Sequence, residues 1–190
     1  MAFDVTDLRI AAVKVIKAHK FKDGRGFFSE VYTRKGLAEA GLDIDFVQDN
    51  QSFSAEKGTL RGLHFQVPPF AQDKLVRVVR GAILDVAVDL RVGSPTYGKH
   101  ASAAISADDW NQIFVPVGFA HGFITLEPDT EVIYKVSNYY SPDHDKGVLW
   151  SDPDLAIEWP QTESVLLSEK DRHWPSFQNI PDVFRYEAPR

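Results

Sequence analysis

The plainest pattern in this chain is a two-residue alternation. Leu84, Val86, Val88 and Leu90 alternate with Asp85, Ala87, Asp89 and Arg91. Successive side chains of a strand point to opposite faces, so this spacing predicts a half-buried strand. Gly81 interrupts the apolar stretch that begins at Lys74 and predicts a turn or bulge between two strands. Segments 27–32, 46–53, 60–66, 100–105, 112–115, 122–126 and 130–139 also read as short strands, bounded by Gly, Pro, Asp and Asn. Many short strands at near-regular spacing predict a mainly β chain, an antiparallel sandwich or barrel, with a jelly roll as the leading architecture.

Helix signals are few. Segment 34–40 is long enough for about two turns and ends at Gly41. Ser106-Ala107-Asp108-Asp109 and Ser168-Glu169-Lys170-Asp171 have the form of capped helix starts. From about residue 175 the tail, with Pro175, Pro181 and Pro189, is expected to lie extended over the surface.

Composition narrows the class. A chain of 190 residues is most simply one domain, 1–190, and can bury a core without staples. There is no cysteine, which excludes a disulfide framework, a thiolate nucleophile and a zinc–cysteine site, and fits a reducing compartment. The net charge of -6, from 27 acidic and 21 basic residues, argues against a nucleic-acid partner, which needs a dense basic face. The start has no basic region followed by an apolar one, and no apolar run approaches the roughly 20 residues of a membrane span. The expectation is a soluble cytoplasmic protein without a membrane partner.

The chemistry-bearing residues sit in a few clusters. His64 lies in Gly58-Thr-Leu-Arg-Gly-Leu-His-Phe-Gln66, with Arg61 nearby, and His121 lies in Gly118-Phe-Ala-His-Gly-Phe123. Each histidine reads either as a core residue with a backbone partner or as a functional group in an apolar pocket. A metal site is disfavoured, because neither histidine has a second histidine or a carboxylate at close ligand spacing. Arg25 stands between Gly24 and Gly26, and Lys74 opens an apolar segment. Together with Arg61 they suggest an anionic small ligand, since a guanidinium matches a phosphate or carboxylate oxygen pair. Tyr134 reads as a packing tyrosine or a general acid, and Asp171 as a cap partner of Ser168 or an acid–base group.

Taken in order, these clusters resemble the dTDP-4-dehydrorhamnose 3,5-epimerase family. The resemblance rests on Asp23-Gly-Arg-Gly-Phe-Phe28, Gln48-Asp-Asn50, Leu60-Arg-Gly-Leu-His-Phe-Gln66, Lys74-Leu-Val-Arg-Val78 and Gly118-Phe-Ala-His-Gly-Phe123. It continues through Tyr134-Lys135 with Tyr139-Tyr140, Trp159-Pro160 and Leu167-Ser-Glu-Lys-Asp171, and so covers residues 9–175. It implies a cupin-type jelly roll, a homodimer whose partner subunit completes the pocket, and no metal or organic cofactor. The implied reaction inverts C3 and C5 of dTDP-4-dehydro-6-deoxy-D-glucose, giving dTDP-4-dehydro-β-L-rhamnose.

By the same resemblance His64 is the base, Asp171 its carboxylate partner, Tyr134 the acid on the opposite face and Lys74 the cation beside the keto oxygen. Arg25, Glu30, Gln48, Asp49, Asn50, Arg61, His121 and Lys170 fall at positions that hold the nucleotide sugar. Phe27 and Tyr139 are expected to stack on thymine. Asp145 stands where the family commonly has Glu and is expected to contact the ligand one methylene short. A relative that inverts only C3 or only C5, a sugar-nucleotide-binding cupin without catalysis and a metal-dependent cupin are the alternatives.

Overall fold

The computed structural model describes residues 3–160 and 164–188. In chain order its strands are β1 (Phe3–Asp7), β2 (Lys14–Ala18), β3 (Phe21–Asp23), β4 (Gly26–Phe28), β5 (Gln48–Ser54), β6 (Leu60–Gln66), β7 (Lys74–Arg80) and β8 (Ala82–Asp89). There follow β9 (Arg91–Val92), β10 (His100–Ser106), β11 (Asn111–Val115), β12 (Phe119–Thr125), β13 (Thr130–Val136), β14 (Asp145–Gly147) and β15 (Phe184–Arg185). One sheet has the order β1-β2-β11-β7-β13-β5 and the other β10-β8-β12-β6-β14. Every pairing within both sheets is antiparallel. The two sheets face each other as an antiparallel jelly roll.

Alternation decides which side chains enter the space between the sheets. On β7, Val76 and Val78 face inward and Leu75 outward; on β12, Phe119 and Phe123 face inward and Ala120 and Ile124 outward. The inner core joins these to Ile83, Ile105, Ile113 and Val132. A second apolar layer covers the outer face of the smaller sheet, where Val86, Val88 and Ile124 meet Leu155, Trp159 and Phe184. A third lies under the helix α1 (Arg34–Glu39), whose Leu37 packs with Phe3, Ile16 and Phe114. Thr33 caps α1 by accepting a hydrogen bond from the Gly36 amide at 2.9 Å.

Three expectations are corrected by these contacts. Strand β8 is not half-buried: Asp85, Val86, Ala87, Val88 and Asp89 are all fully covered, because the chain from 148 onward blankets the face that an isolated sheet would show to water. Residues 107–110 form a turn between β10 and β11, not a helix. Ser106 Oγ donates to Asp109 Oδ2 and accepts from the Asp109 amide, closing the loop, and Trp110 at φ 58° lies outside helical geometry. The tail is not simply extended over the surface: β15 pairs in parallel with β9, and Phe184 is buried against Phe65. Pro189 lies outside the described residues.

Several strands end earlier or begin later than the pattern predicts. The segment 27–32 contributes only the end of the β3–β4 hairpin, and β13 stops at Val136. The turn predicted at Gly81 is present, with φ 77° between β7 and β8.

Candidate active site

A cavity of about 590 Å³ opens between the two sheets. It adjoins a smaller space of about 270 Å³, and His64, Lys74 and Tyr134 line both. His64 comes from β6 in one sheet; Lys74 and Tyr134 come from β7 and β13 in the other. Lys74 and Tyr134 point inward because they share the parity of Val76 and Val132. Tyr134 pairs across the ladder with Asn50, whose Oδ1 accepts from Gln48 Nε2 at 2.7 Å.

Strand β6 carries an irregularity that matters here. His64 lies opposite His121 on β12, while Arg61 lies opposite Phe123, so the register slips between these pairs. Gly62 sits inside the slip with φ 142°. A Cβ there would approach Gly122 Cα to 2.5 Å, so neither position has room for a side chain. The extra residue turns both Arg61 and His64 to the cavity.

Asp171 reaches this cavity from a short 3₁₀ turn, Lys170–Arg172, held by the bond from its own amide to Ser168 Oγ at 3.1 Å. Its Oδ1 lies 2.5 Å from His64 Nε2. The bond assigns the Nε2–H tautomer to the neutral ring and leaves Nδ1 as the basic nitrogen. Burial works against the Asp171 charge, but the hydrogen bond and charge of His64, with Ser168 and Trp174 adding, hold its carboxyl below the usual value.

A second histidine–carboxylate pair lies beside the first. His121 Nε2 is 2.8 Å from Asp85 Oδ2, and both side chains are buried. Among the described residues Asp85 Oδ1 has no hydrogen-bond partner. Burial pushes the Lys74 ammonium down to about 8, against the attraction of Asp145 and Asp85. The residue as a whole is only half-buried, but its charged end sits at depth. Burial also raises the Tyr134 hydroxyl above its ordinary value, with Arg61 opposing and Asp145 reinforcing the rise.

Asp145 anchors the cavity rim. Its Oδ2 accepts from Tyr140 OH at 3.2 Å and from Lys170 Nζ. As an aspartate it meets both partners without the extra methylene of a glutamate.

The structure separates the remaining sequence-predicted residues. Gln48, Asn50, Arg61, His121, Asp145 and Lys170 line one or other space. Asp49 has the opposite parity to Asn50 and bonds Lys135 at 2.8 Å on the outer face. Arg25 is tied to Asp23 within the β3–β4 hairpin and is 92 % exposed, with Phe27 edge to face against Trp110 beside it. Neither they nor Glu30 nor the exposed Tyr139 line the cavity of their own chain. Asp85 and Trp174, both built into the site, are not singled out by the sequence. A lone carboxylate inside the apolar run Ile83–Val88 was the signal for the first. Among the described residues no three His, Cys, Asp or Glu side chains form a group able to hold a metal.

A family model described as dTDP-4-dehydrorhamnose 3,5-epimerase matches residues 7–179. The chain belongs to this family. A dTDP-4-dehydrorhamnose 3,5-epimerase of Sinorhizobium fredii is 54 % identical over 179 residues, 94 % of this chain and 92 % of the relative. The crystal structure of the Bacillus anthracis epimerase with TDP and PPi bound superposes with a TM-score of 0.90 at 53 % identity, covering 93 % of this chain and all of that one. The Legionella pneumophila epimerase, solved in complex with dTDP-4-keto-L-rhamnose, superposes at 0.93 and 40 % identity, over 98 % of this chain and 100 % of that chain. The likeness thus spans both sheets and the segment that carries Asp171. No helix among the described residues is long and apolar enough to cross a membrane.

Proposed function

We propose that the protein is a dTDP-4-dehydrorhamnose 3,5-epimerase. It inverts C3 and C5 of dTDP-4-dehydro-6-deoxy-D-glucose and yields dTDP-4-dehydro-β-L-rhamnose. One arrangement carries the reading: a carboxylate-backed histidine on one sheet and a tyrosine on the other line the same cavity, with a half-buried lysine lining the same two spaces.

Both carbons lie next to the C4 ketone, so their protons are acidic enough to be removed as an enolate forms. His64 Nδ1 takes the proton while Asp171 balances the imidazolium charge that results. The C4 oxygen gains negative charge, and Lys74 stabilises it. At about 4 Å and an effective dielectric near 20, unit charges attract by about 4 kcal/mol. If that attraction develops only at the transition state, it corresponds to about a thousandfold in rate. Tyr134 then returns a proton to the opposite face of the carbon, and configuration inverts. The step needs no electron carrier, because the carbon skeleton is neither oxidised nor reduced.

The unreacting thymidine diphosphate supplies most of the binding. Arg61, Gln48, Asn50, His121 and Lys170 are read as its contacts and those of the sugar. Arg25, Phe27 and Glu30 are read as serving the site of a second subunit in a cytoplasmic homodimer. The β3–β4 hairpin supports that assignment, since it exposes Phe21, Phe27 and Phe28 together, away from its own cavity.

Incubation with dTDP-4-dehydro-6-deoxy-D-glucose in D2O is the test. Deuterium should enter at both C3 and C5, and His64→Ala should abolish it. Exchange at one carbon would make the protein a single-carbon epimerase; exchange at neither would remove the reading.

A further inference from the structure

The indole of Trp174 occupies a place that the sequence has cleared for it. Gly147 lies directly across the β14–β6 ladder from His64. Its φ is not one that demands glycine, yet a Cβ there would stand 2.3 Å from Trp174 Cε2 and 2.5 Å from Nε1. The missing side chain is therefore the indole's space. Behind Trp174, the Pro175 carbonyl accepts from the Leu149 amide at 2.8 Å and fixes the backbone.

Placed there, Trp174 Nε1 donates to Asp171 Oδ1 at 3.1 Å. This is the same oxygen that His64 Nε2 meets at 2.5 Å. The two rings stand edge to face, 6.0 Å apart at 70°. An indole N–H can only donate, so it has no use here except to a carboxylate or carbonyl. We propose that Trp174 is a positioning residue for the His64–Asp171 pair: it fixes the carboxylate in line with the imidazole and, by sharing its oxygen, limits the charge that His64 feels. The inference rests on the reading of His64 as the proton-abstracting base.

Other charges face the pair. Lys170 stands over the Trp174 ring at 5.1 Å and is bound to Asp145. Arg61 lies on the same strand, Lys74 and Tyr134 across the cavity, and the His121–Asp85 pair alongside. Tyr140 bonds Asp145, and Glu169, Arg172 and His173 pair among themselves outside. Of these only Lys170 touches the indole, and it meets the ring face rather than Nε1.

Trp174→Phe keeps an aromatic ring and deletes the donor. A carboxylate that loses a donor presents more charge to its remaining partner. The acid limb of kcat/KM against pH should therefore move to higher pH by on the order of half a unit, about a threefold gain in proton affinity. Gly147→Ala keeps Trp174 but displaces the indole and should give the same direction of shift; it decides the matter if Trp174→Phe does not fold. A lower kcat with the acid limb unmoved in the folded variants overturns the inference. Failure of the unsubstituted protein to exchange deuterium would remove the reading of His64 instead, so the two failures are distinguishable.

Discussion

Arg61 and His64 stand three residues apart on one strand, yet both face the same cavity. A regular strand would send them to opposite faces, because side chains alternate with period two. The register slip at Gly62 removes the conflict. Gly62→Ala should therefore do more than crowd the sheet. It forces a side chain into φ 142° and against the Gly122 backbone. Overpacking and backbone strain together should destabilise the fold by about 3 kcal/mol or more. Thermal unfolding measures this, and an unchanged midpoint with unchanged activity would show that the slip does not depend on glycine.

Asp171→Asn should leave the fold intact and slow deuterium entry at C3 and C5 by about 10²–10⁴-fold, because the amide neither balances an imidazolium nor fixes the productive tautomer. The pH dependence of stability supplies a second reading. The Asp171 carboxyl is held below its unfolded value, so its contribution is fully present above the ordinary 3.8 and is lost as pH falls through the lower folded value. Acid unfolding of Asp171→Asn should accordingly show a smaller loss of stability below pH 4 than the unsubstituted protein.

Tyr134→Phe separates proton removal from proton return. His64 can still withdraw and replace a proton on its own face, so deuterium still enters the substrate. Inversion needs the opposite face and should fall by at least about tenfold more than exchange does. Product analysis by NMR beside isotope uptake makes the comparison; equal losses would assign the returned proton to another group.

The alternation around Leu84–Leu90 located a strand but misjudged its surroundings. Sequence periodicity reports two faces and not what later covers them, and here the segment from Val148 to Phe184 covers the outer one. The same blindness hid Asp85, which sits on the less apolar parity of β8 and is nevertheless the inward one, bonded to His121. The slip at Gly62 was illegible for another reason: it depends on the close approach of Gly122 from β12, a contact between residues sixty positions apart. His64, Tyr134 and Lys74 were legible as candidates because each is a polar group in an apolar segment, but the pattern left His64 between core and site and Tyr134 between packing and catalysis. Asp171 was not legible from local pattern, since its cap with Ser168 is real and accounts for it without any histidine. Only the resemblance joined it to His64. Arg25 shows the reverse case, a residue matched by motif that its own chain keeps away from the cavity.

That separation yields a prediction. If the hairpin serves the neighbouring subunit, Arg25→Ala should raise KM for the nucleotide sugar roughly tenfold, the value of one charge-assisted contact to a phosphate, and leave kcat within about twofold. Phe27→Ser with Phe28→Ser should shift sedimentation towards a monomer and lower activity at dilute protein. A mixture of Arg25→Ala and His64→Ala chains then carries the sharper test. Exchange between subunits places both lesions in one site and leaves the other site whole, so at substrate well below KM an equal mixture should reach about a quarter of the unsubstituted activity, against about a twentieth from Arg25→Ala chains acting alone. No recovery would place Arg25 and His64 in the same subunit's site.

Lys74 links the chemistry to the stability of the fold. Its folded value of about 8 lies below the ordinary 10.5, chiefly through burial. A lysine lowered in this way opposes folding while it is charged. The opposition is full below about 8 and is relieved as pH rises from about 8 towards 10.5. Lys74→Met should therefore be more stable than the unsubstituted protein at pH 7, by up to about 3 kcal/mol, and the advantage should vanish by pH 10.5. Activity should move the other way. The charged lysine stabilises the enolate oxygen, so the unsubstituted rate should fall as pH rises through about 8, while the variant should be slower by about a thousandfold with that limb absent. Denaturant unfolding at pH 7 and pH 10, beside a pH–rate profile, tests both halves. A variant that loses activity without gaining stability would mean that Asp145 and Asp85 need the ammonium more than the fold suffers from burying it.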